Sequence, residues 1–151
     1  MSKARTEPLR PEHFELIDPQ ENQPMSLENI KILKESGETL DHLMEYGSTG
    51  FYGDQILGCS GVIKVWPKRA YAWAILDKSS AGSNMIWVHD WVSSFLDSHQ
   101  PDPFTRVEMS VLQSFRQAHR WAKMLGFISE GIMRCYDQYG QDYSMYARIR
   151  K

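Results

Sequence analysis

Apolar and polar positions along the chain first form short extended runs, then stripes with helical spacing, then extended runs again. Ala4 to Leu9 predicts a short first strand. Pro11 at a helix start, followed by Glu12 and Glu15, predicts a helical turn through Ile17. Asp18 to Pro24 is a loop rich in Pro, Gln and Asn. Ser26 then opens a helix as N-cap, with Asn29 where a capping box would hold Glu. Leu27, Ile30 and Leu33 (or Ile32), then Leu40, Leu43 and Met44, keep helical spacing, and Gly37 divides this stretch in two. Gly47 to Gly53 reads as a weak strand closed by a Gly53-Asp54 turn.

The middle of the chain is β-rich. Gln55 to Trp66 (QILGCSGVIKVW) predicts a long strand, Pro67-Lys68-Arg69 a tight turn, and Ala70 to Leu76 (AYAWAIL) its antiparallel neighbour. The near-continuous apolar character of the second run predicts a central strand covered on both faces. Ser83 to Leu96 predicts a helix with Met85, Val88, Val92 and Phe95 on one stripe, ended by Pro101 and Pro103. Phe104 to Leu112 alternates, with Val107, Met109 and Val111 on one face. Phe115, Ala118, Ala122 and Leu125 form a helical stripe, with Gly126 as a left-handed C-cap. Phe127 to Tyr136 and Asp142 to Arg150 read as two strands around a turn over Asp137 to Gln141. The order is helices, an antiparallel meander, then β-α-β-β: a single α+β domain over residues 1–151, with a mixed, mostly antiparallel sheet of six to seven strands and about four helices.

Composition narrows the function classes. The 151 residues hold 17 Lys plus Arg against 19 Asp plus Glu, a net charge of -2, so the basic surplus of a dedicated nucleic-acid binder is missing. Cys59 and Cys135 form neither a disulfide framework nor a CxxC motif, and a reducing compartment is expected. The polar N-terminus does not read as a signal peptide, and no apolar run approaches the ~20 residues that span a bilayer. A soluble cytoplasmic protein without membrane contact is predicted. Five histidines without HxH or HxxxH spacing predict no metal site.

The C-terminal residues carry a family resemblance. In Ala118-His119-Arg120-Trp121-Ala122-Lys123-Met124-Leu125-Gly126-Phe127, the Ala and the closing Leu-Gly-Phe resemble motif B of the GNAT (Gcn5-related N-acetyltransferase) family. Ser129-Glu130-Gly131-Ile132-Met133-Arg134 is similar to its xEGxxR strand, and Asp137 to Arg148 to its closing hairpin. The likeness extends to small GNAT-like proteins of tailed bacteriophages, of the podophage internal virion protein A type. Gly61-Val62-Ile63 with Val65-Trp66-Pro67, then Ala72-Trp73-Ala74-Ile75-Leu76, is similar to their central hairpin. Tyr139-Gly140-Gln141-Asp142-Tyr143 with Met145-Tyr146-Ala147-Arg148 is similar to their ending. The resemblance covers residues 55 to 151 and reaches the N-terminal third only through element order.

The resemblance implies transfer of an acetyl group from acetyl-CoA to an amine, such as a lysine or N-terminus of a host protein or a small amine. It also implies which residues would serve. Ile75 and Leu76 offer backbone contacts to the pantetheine arm. Lys78, Ala81, Gly82 and Ser83 stand where the family's QxxGxG phosphate loop would be, and Ala118 opens motif B. That loop keeps one Gly and small hydroxyl residues but not the motif, and Asp77 adds a negative charge; a Ser/Gly-rich connector capping a helix is the other reading. The family's motif B Tyr is replaced by Ala122 and its Asn by Phe115. Tyr136 and Tyr139 are then the candidate phenols for protonating a departing thiolate, and Glu108, with Glu45 behind it, the candidate base. A second implied role is a GNAT-fold virion protein without chemistry, in contact with phage structural proteins or with a second copy of the chain.

Other groupings carry less. His89 and Asp90 are adjacent on one helix and do not face each other. His119 has no acidic partner at helical spacing and is expected to be solvated. Trp87 and Trp91 make an aromatic face that reads as core packing or, if exposed, as a partner surface. Arg116, Arg120 and Lys123 line the polar face of their helix. They read as a solvated face or as a contact for the adenosine 3′-phosphate of CoA or an acidic partner.

Overall fold

A computed structural model describes residues 3–19, 35, 40–98 and 104–150. Its strands are β1 (Ala4–Pro8), β2 (Gly47–Tyr52), β3 (Gln55–Trp66), β4 (Arg69–Leu76), β5 (Arg106–Leu112), β6 (Ile128–Met133) and β7 (Tyr143–Ile149). They form a seven-stranded sheet in the order β1-β2-β3-β4-β5-β7-β6. β1 with β2, β2 with β3, β5 with β7 and β6 with β7 pair antiparallel, and β4 with β5 pairs parallel. The helices are a 3-10 helix (Pro11–Leu16), α1 (Asp41–Met44), α2 (Ser80–Ser83), α3 (Met85–Asp97) and α4 (Arg116–Met124). This is the expected α+β class. The helix opened at Ser26 lies outside the described residues as far as Lys34, and the Gly37 break does too. Among the described residues no helix is long and apolar enough to cross a membrane.

The chain divides into two compact units, Met1–Ile63 with Trp73–Asp97 and Lys64–Ala72 with Ser98–Lys151. In the first, Leu9, Phe14, Ile17, Leu43, Phe51 and Ile75 are among the residues that build the core. Trp87 and Trp91 pack over β2, their ring centroids 5.6 Å apart. A Cβ at Gly50 would come within 2.9 Å of Trp87 and 3.0 Å of Trp91, so only glycine admits the pair. Trp91 Nε1 donates to Ser48 Oγ at 3.0 Å. Of the two readings of this aromatic face, packing is therefore the one realised.

Beside this core lies a buried polar cluster. His13 Nδ1 is 2.7 Å from Thr49 Oγ1, which is 3.5 Å from Cys59 Sγ, and all three residues are buried. Burial pushes the Cys59 thiol up to about 12, so it is an inert core thiol rather than a nucleophile. Burial, with the nearby Arg10 guanidinium, lowers the proton affinity of His13. Arg10 Nε donates to His13 Nε2 at 3.3 Å, an arrangement that requires a neutral acceptor ring.

In the second unit α4 ends in a Schellman cap. Gly126, at φ +93°, donates its N–H to Lys123 O, and Phe127 donates to Ala122 O, both at 3.0 Å. The C-cap expected at this glycine is present. Ala122 and Leu125 are buried below it, and Arg116, Arg120 and Lys123 are exposed.

Four expectations need correction. His119 is not solvated: its Nδ1 is 2.8 Å from Tyr146 Oη, and its Nε2 is 3.1 Å from Leu112 O and 3.0 Å from Gln113 O. It sits four residues after Phe115 and three before Ala122, on the face that meets the sheet. The helix expected over Ser83 to Leu96 is interrupted at Asn84, whose side chain donates to Ser80 O and whose N–H donates to Ala81 O, closing α2 before α3 begins. β4 is central in the sheet order, but Tyr71 to Ala74 are only half-buried, so coverage on both faces fails over its middle. The strand expected to Tyr136 stops at Met133, and Cys135 turns into the left-handed region at φ 51°.

The His13 cluster has a pH signature. A folded-state pKa below the ordinary 6.5 means stability is complete above that pH and is lost as pH falls through the folded value. Thermal unfolding of the native chain should drop in midpoint between pH 7 and pH 5. His13→Gln, less stable by about 1 kcal/mol at pH 7, should show a flat midpoint across the same interval.

Candidate functional site

The first unit places the end of β4, the following loop and the start of α3 in one continuous stretch. Ile75 and Leu76 are buried. Asp77 then donates its N–H to Leu57 O at 2.9 Å and forms an isolated bridge with Pro19. Lys78 N–H donates to Asp18 O at 2.8 Å, and Lys78 Nζ lies 3.2 Å from the Asp18 carboxylate. The segment Asp18–Pro19 is thus strapped along the loop. Ala81 is fully buried, whereas Gly82 and Ser83 are exposed, and a Cβ at Gly82 would meet no atom within 4 Å.

Asp77 dominates this loop. Its side chain accepts from Asp18 N–H at 2.8 Å, Ser80 N–H at 3.1 Å, Ser79 N–H at 3.3 Å and Ser79 Oγ at 3.0 Å. The Ser80 hydroxyl stands 2.9 Å from the same carboxylate and 2.5 Å from Ile56 O, one proton between two acceptors. Burial alone would raise the Asp77 pKa, but these hydrogen bonds outweigh it and the group is held below the ordinary carboxylate value. An aspartate accepting from the N–H groups two and three residues on is a local cap. It also settles how well the loop fits a nucleotide diphosphate. Ser79 and Ser80 already donate their N–H groups to a buried anion, and Lys78 is paired with Asp18. These donors of Lys78, Ser79 and Ser80 do not fit a second anion, and Gly82 and Ser83 form the exposed side of the loop.

The second unit gathers a different set on one sheet face. Arg69, Tyr71, Glu108 and Ser110 alternate onto it from the parallel pairing Arg69↔Arg106, Ala70↔Val107, Tyr71↔Glu108. Glu108 is buried between two guanidiniums. Arg69 Nε is 2.7 Å from Oε1 and Arg69 Nη2 2.9 Å from Oε2, while Arg106 Nε also reaches Oε1 at 2.7 Å. Arg106 passes on to Glu130 at 3.2 Å through Nη1, and Arg69 stacks on Trp66 at 4.3 Å. The Arg69 hydrogen bonds, together with those from Arg106, hold the Glu108 carboxyl below its ordinary value despite burial. A carboxylate held this way is a poor proton acceptor, which weakens its candidacy as the base.

Further along the same face, Tyr71 Oη is hydrogen-bonded to Ser110 Oγ, and Tyr143 Oη donates to Asp137 Oδ2 at 3.1 Å. The Tyr136 ring lies 5.2 Å from that of Tyr143. Burial raises the Tyr71 phenol, and burial with Asp137 pushes Tyr143 up to about 12. Of the two candidate phenols, Tyr136 joins this cluster, and Tyr139 is exposed on the adjoining turn. Ala118 is half-buried on α4.

The structure thus groups Ile75, Leu76, Lys78, Ala81, Gly82 and Ser83 in one unit, and Glu108, Tyr136, Tyr139 and Ala118 in the other. Sequence reasoning passed over Arg69, Tyr71, Arg106 and Ser110. Their signal was the i, i+2 alternation of polar side chains in Arg69-Ala70-Tyr71 and Arg106-Val107-Glu108-Met109-Ser110.

Neither a family model nor a curated protein sequence matches the chain. Solved structures do. Ard1 from Thermoplasma volcanium is similar with a TM-score of 0.76 at 14% identity, over 99% of each chain. A chain of the NatC complex bound to Gag peptide and CoA matches at 0.72 and 17%, over 100% of each. A spermidine N-acetyltransferase SpeG chimera from Vibrio cholerae and hSSAT matches at 0.71 and 15%, over 98% of this chain and 96% of that one. The fold is that of the GNAT acetyltransferases.

The Glu108 clamp yields a stability test. Glu108→Gln leaves two guanidiniums facing a neutral amide, and should cost about 2 kcal/mol at pH 7 by chemical denaturation. Because the native carboxyl is depressed below its ordinary 4.5, that contribution is present above pH 4.5 and fades as pH falls through the folded value. The gap between native and variant chains should therefore narrow between pH 5 and pH 3.

Proposed function

We propose that the protein is an N-acetyltransferase of GNAT type, taking an acetyl group from an acetyl-CoA thioester to an amine. The observation that carries this reading is the end-to-end similarity to a spermidine N-acetyltransferase chimera, to the ribosomal-protein-S18-alanine N-acetyltransferase from Escherichia coli and to a chain of the NatC complex bound to Gag peptide and CoA. Fold similarity by itself sets a class and not a chemistry, so the residues matter. The backbone at Ile75 and Leu76 is assigned to the pantetheine arm, with Gly82 and Ser83 as the open rim of the loop. Tyr136 is the assigned acid, an exposed phenol whose ring lies 5.2 Å from that of Tyr143. The acceptor is an amine of a protein or a small molecule, in the cytoplasm of the cell in which the protein is made. The likeness to small phage proteins supports a phage-encoded enzyme acting in the host.

Two observations favour a second reading. The Asp77 cap occupies the Ser79 and Ser80 donors of the loop, and Ala122, on the buried face of α4, holds no phenol at the motif B position. Both suit a GNAT-fold virion protein that works through protein contacts without catalysis.

Thiol release from acetyl-CoA separates the two. With a panel of peptide N-termini, lysine peptides and polyamines, amine-dependent release is expected for at least one acceptor class. Tyr136→Phe should lower that rate at least tenfold, in line with loss of a general acid. Absence of release with every acceptor, together with no calorimetric binding of acetyl-CoA at millimolar concentration, would leave the virion reading standing.

A further inference from the structure

The loop after β4 bears on which thioester the protein takes. Five donors turn inward onto one carboxylate: the N–H groups of Asp18, Ser79 and Ser80 and the hydroxyls of Ser79 and Ser80. The carboxylate is only 6% exposed, and the strap through Asp18 and Pro19 lies along its outer side. A concave set of backbone N–H groups is the usual cradle for a phosphate, and here it is filled by the chain itself. Lys78, the cation of this loop, faces the Asp18 carboxylate. An incoming diphosphate would meet a fixed negative charge, with the N–H groups of Ser79 and Ser80 already engaged. The pantetheine arm carries no charge and would not be opposed in this way.

We infer that Asp77 is a specificity-determining residue of this site, favouring acyl donors held through the pantetheine arm and withdrawing the diphosphate contribution that would set CoA thioesters apart. This rests on the acetyltransferase reading, and it names the donor class as pantetheine thioesters in general. The nucleotide end adds no affinity in the native chain.

The test is calorimetric titration of the full chain with acetyl-CoA and with acetyl-pantetheine. The native protein should bind the two within about threefold of each other. Asp77→Asn keeps the shape and part of the cap while removing the charge, and Asp77→Ser shortens the side chain and frees the N–H groups. Either should strengthen acetyl-CoA binding at least tenfold and leave acetyl-pantetheine unchanged, with folding checked by thermal unfolding. A native chain that binds acetyl-CoA more than tenfold tighter than acetyl-pantetheine overturns the inference without needing any variant. A ratio unmoved in a folded Asp77→Asn overturns it as well. Failure of both thioesters to bind any folded form is a different result: it removes the acetyltransferase reading and this inference with it.

Discussion

The second unit depends on how a carboxylate can be buried in the middle of a strand. Glu108 alternates with the apolar Val107 and Met109 on β5, yet it is almost fully enclosed. It is tolerated because Arg69 and Arg106 meet both of its oxygens, and because each arginine is itself fixed. Arg69 is stacked on Trp66, and Arg106 is held at its far side by Glu130. The parallel pairing of β4 with β5 spans only three residue pairs, and this network sits on those pairs. Parallel pairing is slightly weaker per residue than antiparallel, so a charge cluster at the join does work that a longer ladder would otherwise do. The turn cooperates: Lys68, at φ 73°, directs its carbonyl to Arg106 N–H at 3.0 Å.

Asp77 solves the same problem by other means. Where Glu108 is neutralised by side-chain cations, Asp77 is held by backbone N–H groups and serine hydroxyls. Glu108, the first candidate base, and Asp77, the charge in the loop, are therefore both engaged in the fold, whereas Glu45, the second candidate base, is exposed. Of the other site residues expected from the sequence, Tyr136, Tyr139, Gly82 and Ser83 are exposed.

How much of this was legible depends on the range of the interactions. The strand Gln55–Trp66, the start of β2 at Gly47 and the cap at Gly126 were readable because they follow from local pattern: a long β-rich run, a Gly-Asp turn, and a glycine after a helical stripe. Asp77 was noticed as a charge, and its capping role was also local, since its main partners are two and three residues away. A Ser/Gly-rich connector capping a helix was one of the two readings of this stretch, and the structure adds that Asp77 is the accepting group. The partners of His119 and Glu108 lay beyond any local pattern. Tyr146 is 27 residues from His119, and Arg69 is 39 residues from Glu108. A polar side chain that finds its partner only through strand order looks solvated in one dimension. That is why His119 was misplaced and the arginines passed over.

The Asp77 cap also changes what a ligand can do for this loop. The N–H groups at a helix start need acceptors, and in an open site these come from water or from a bound anion. A loop that relies on a ligand for this gains order when the ligand arrives, and that coupling links occupancy to conformation. Here the acceptor is covalently part of the chain, so the loop is satisfied in the empty protein. A donor arriving through its pantetheine arm has no unsatisfied N–H groups to reward at Ser79 and Ser80, and it orders nothing there. Discrimination among donors then shifts away from the anion end and toward the β4 backbone, where the arm would be held.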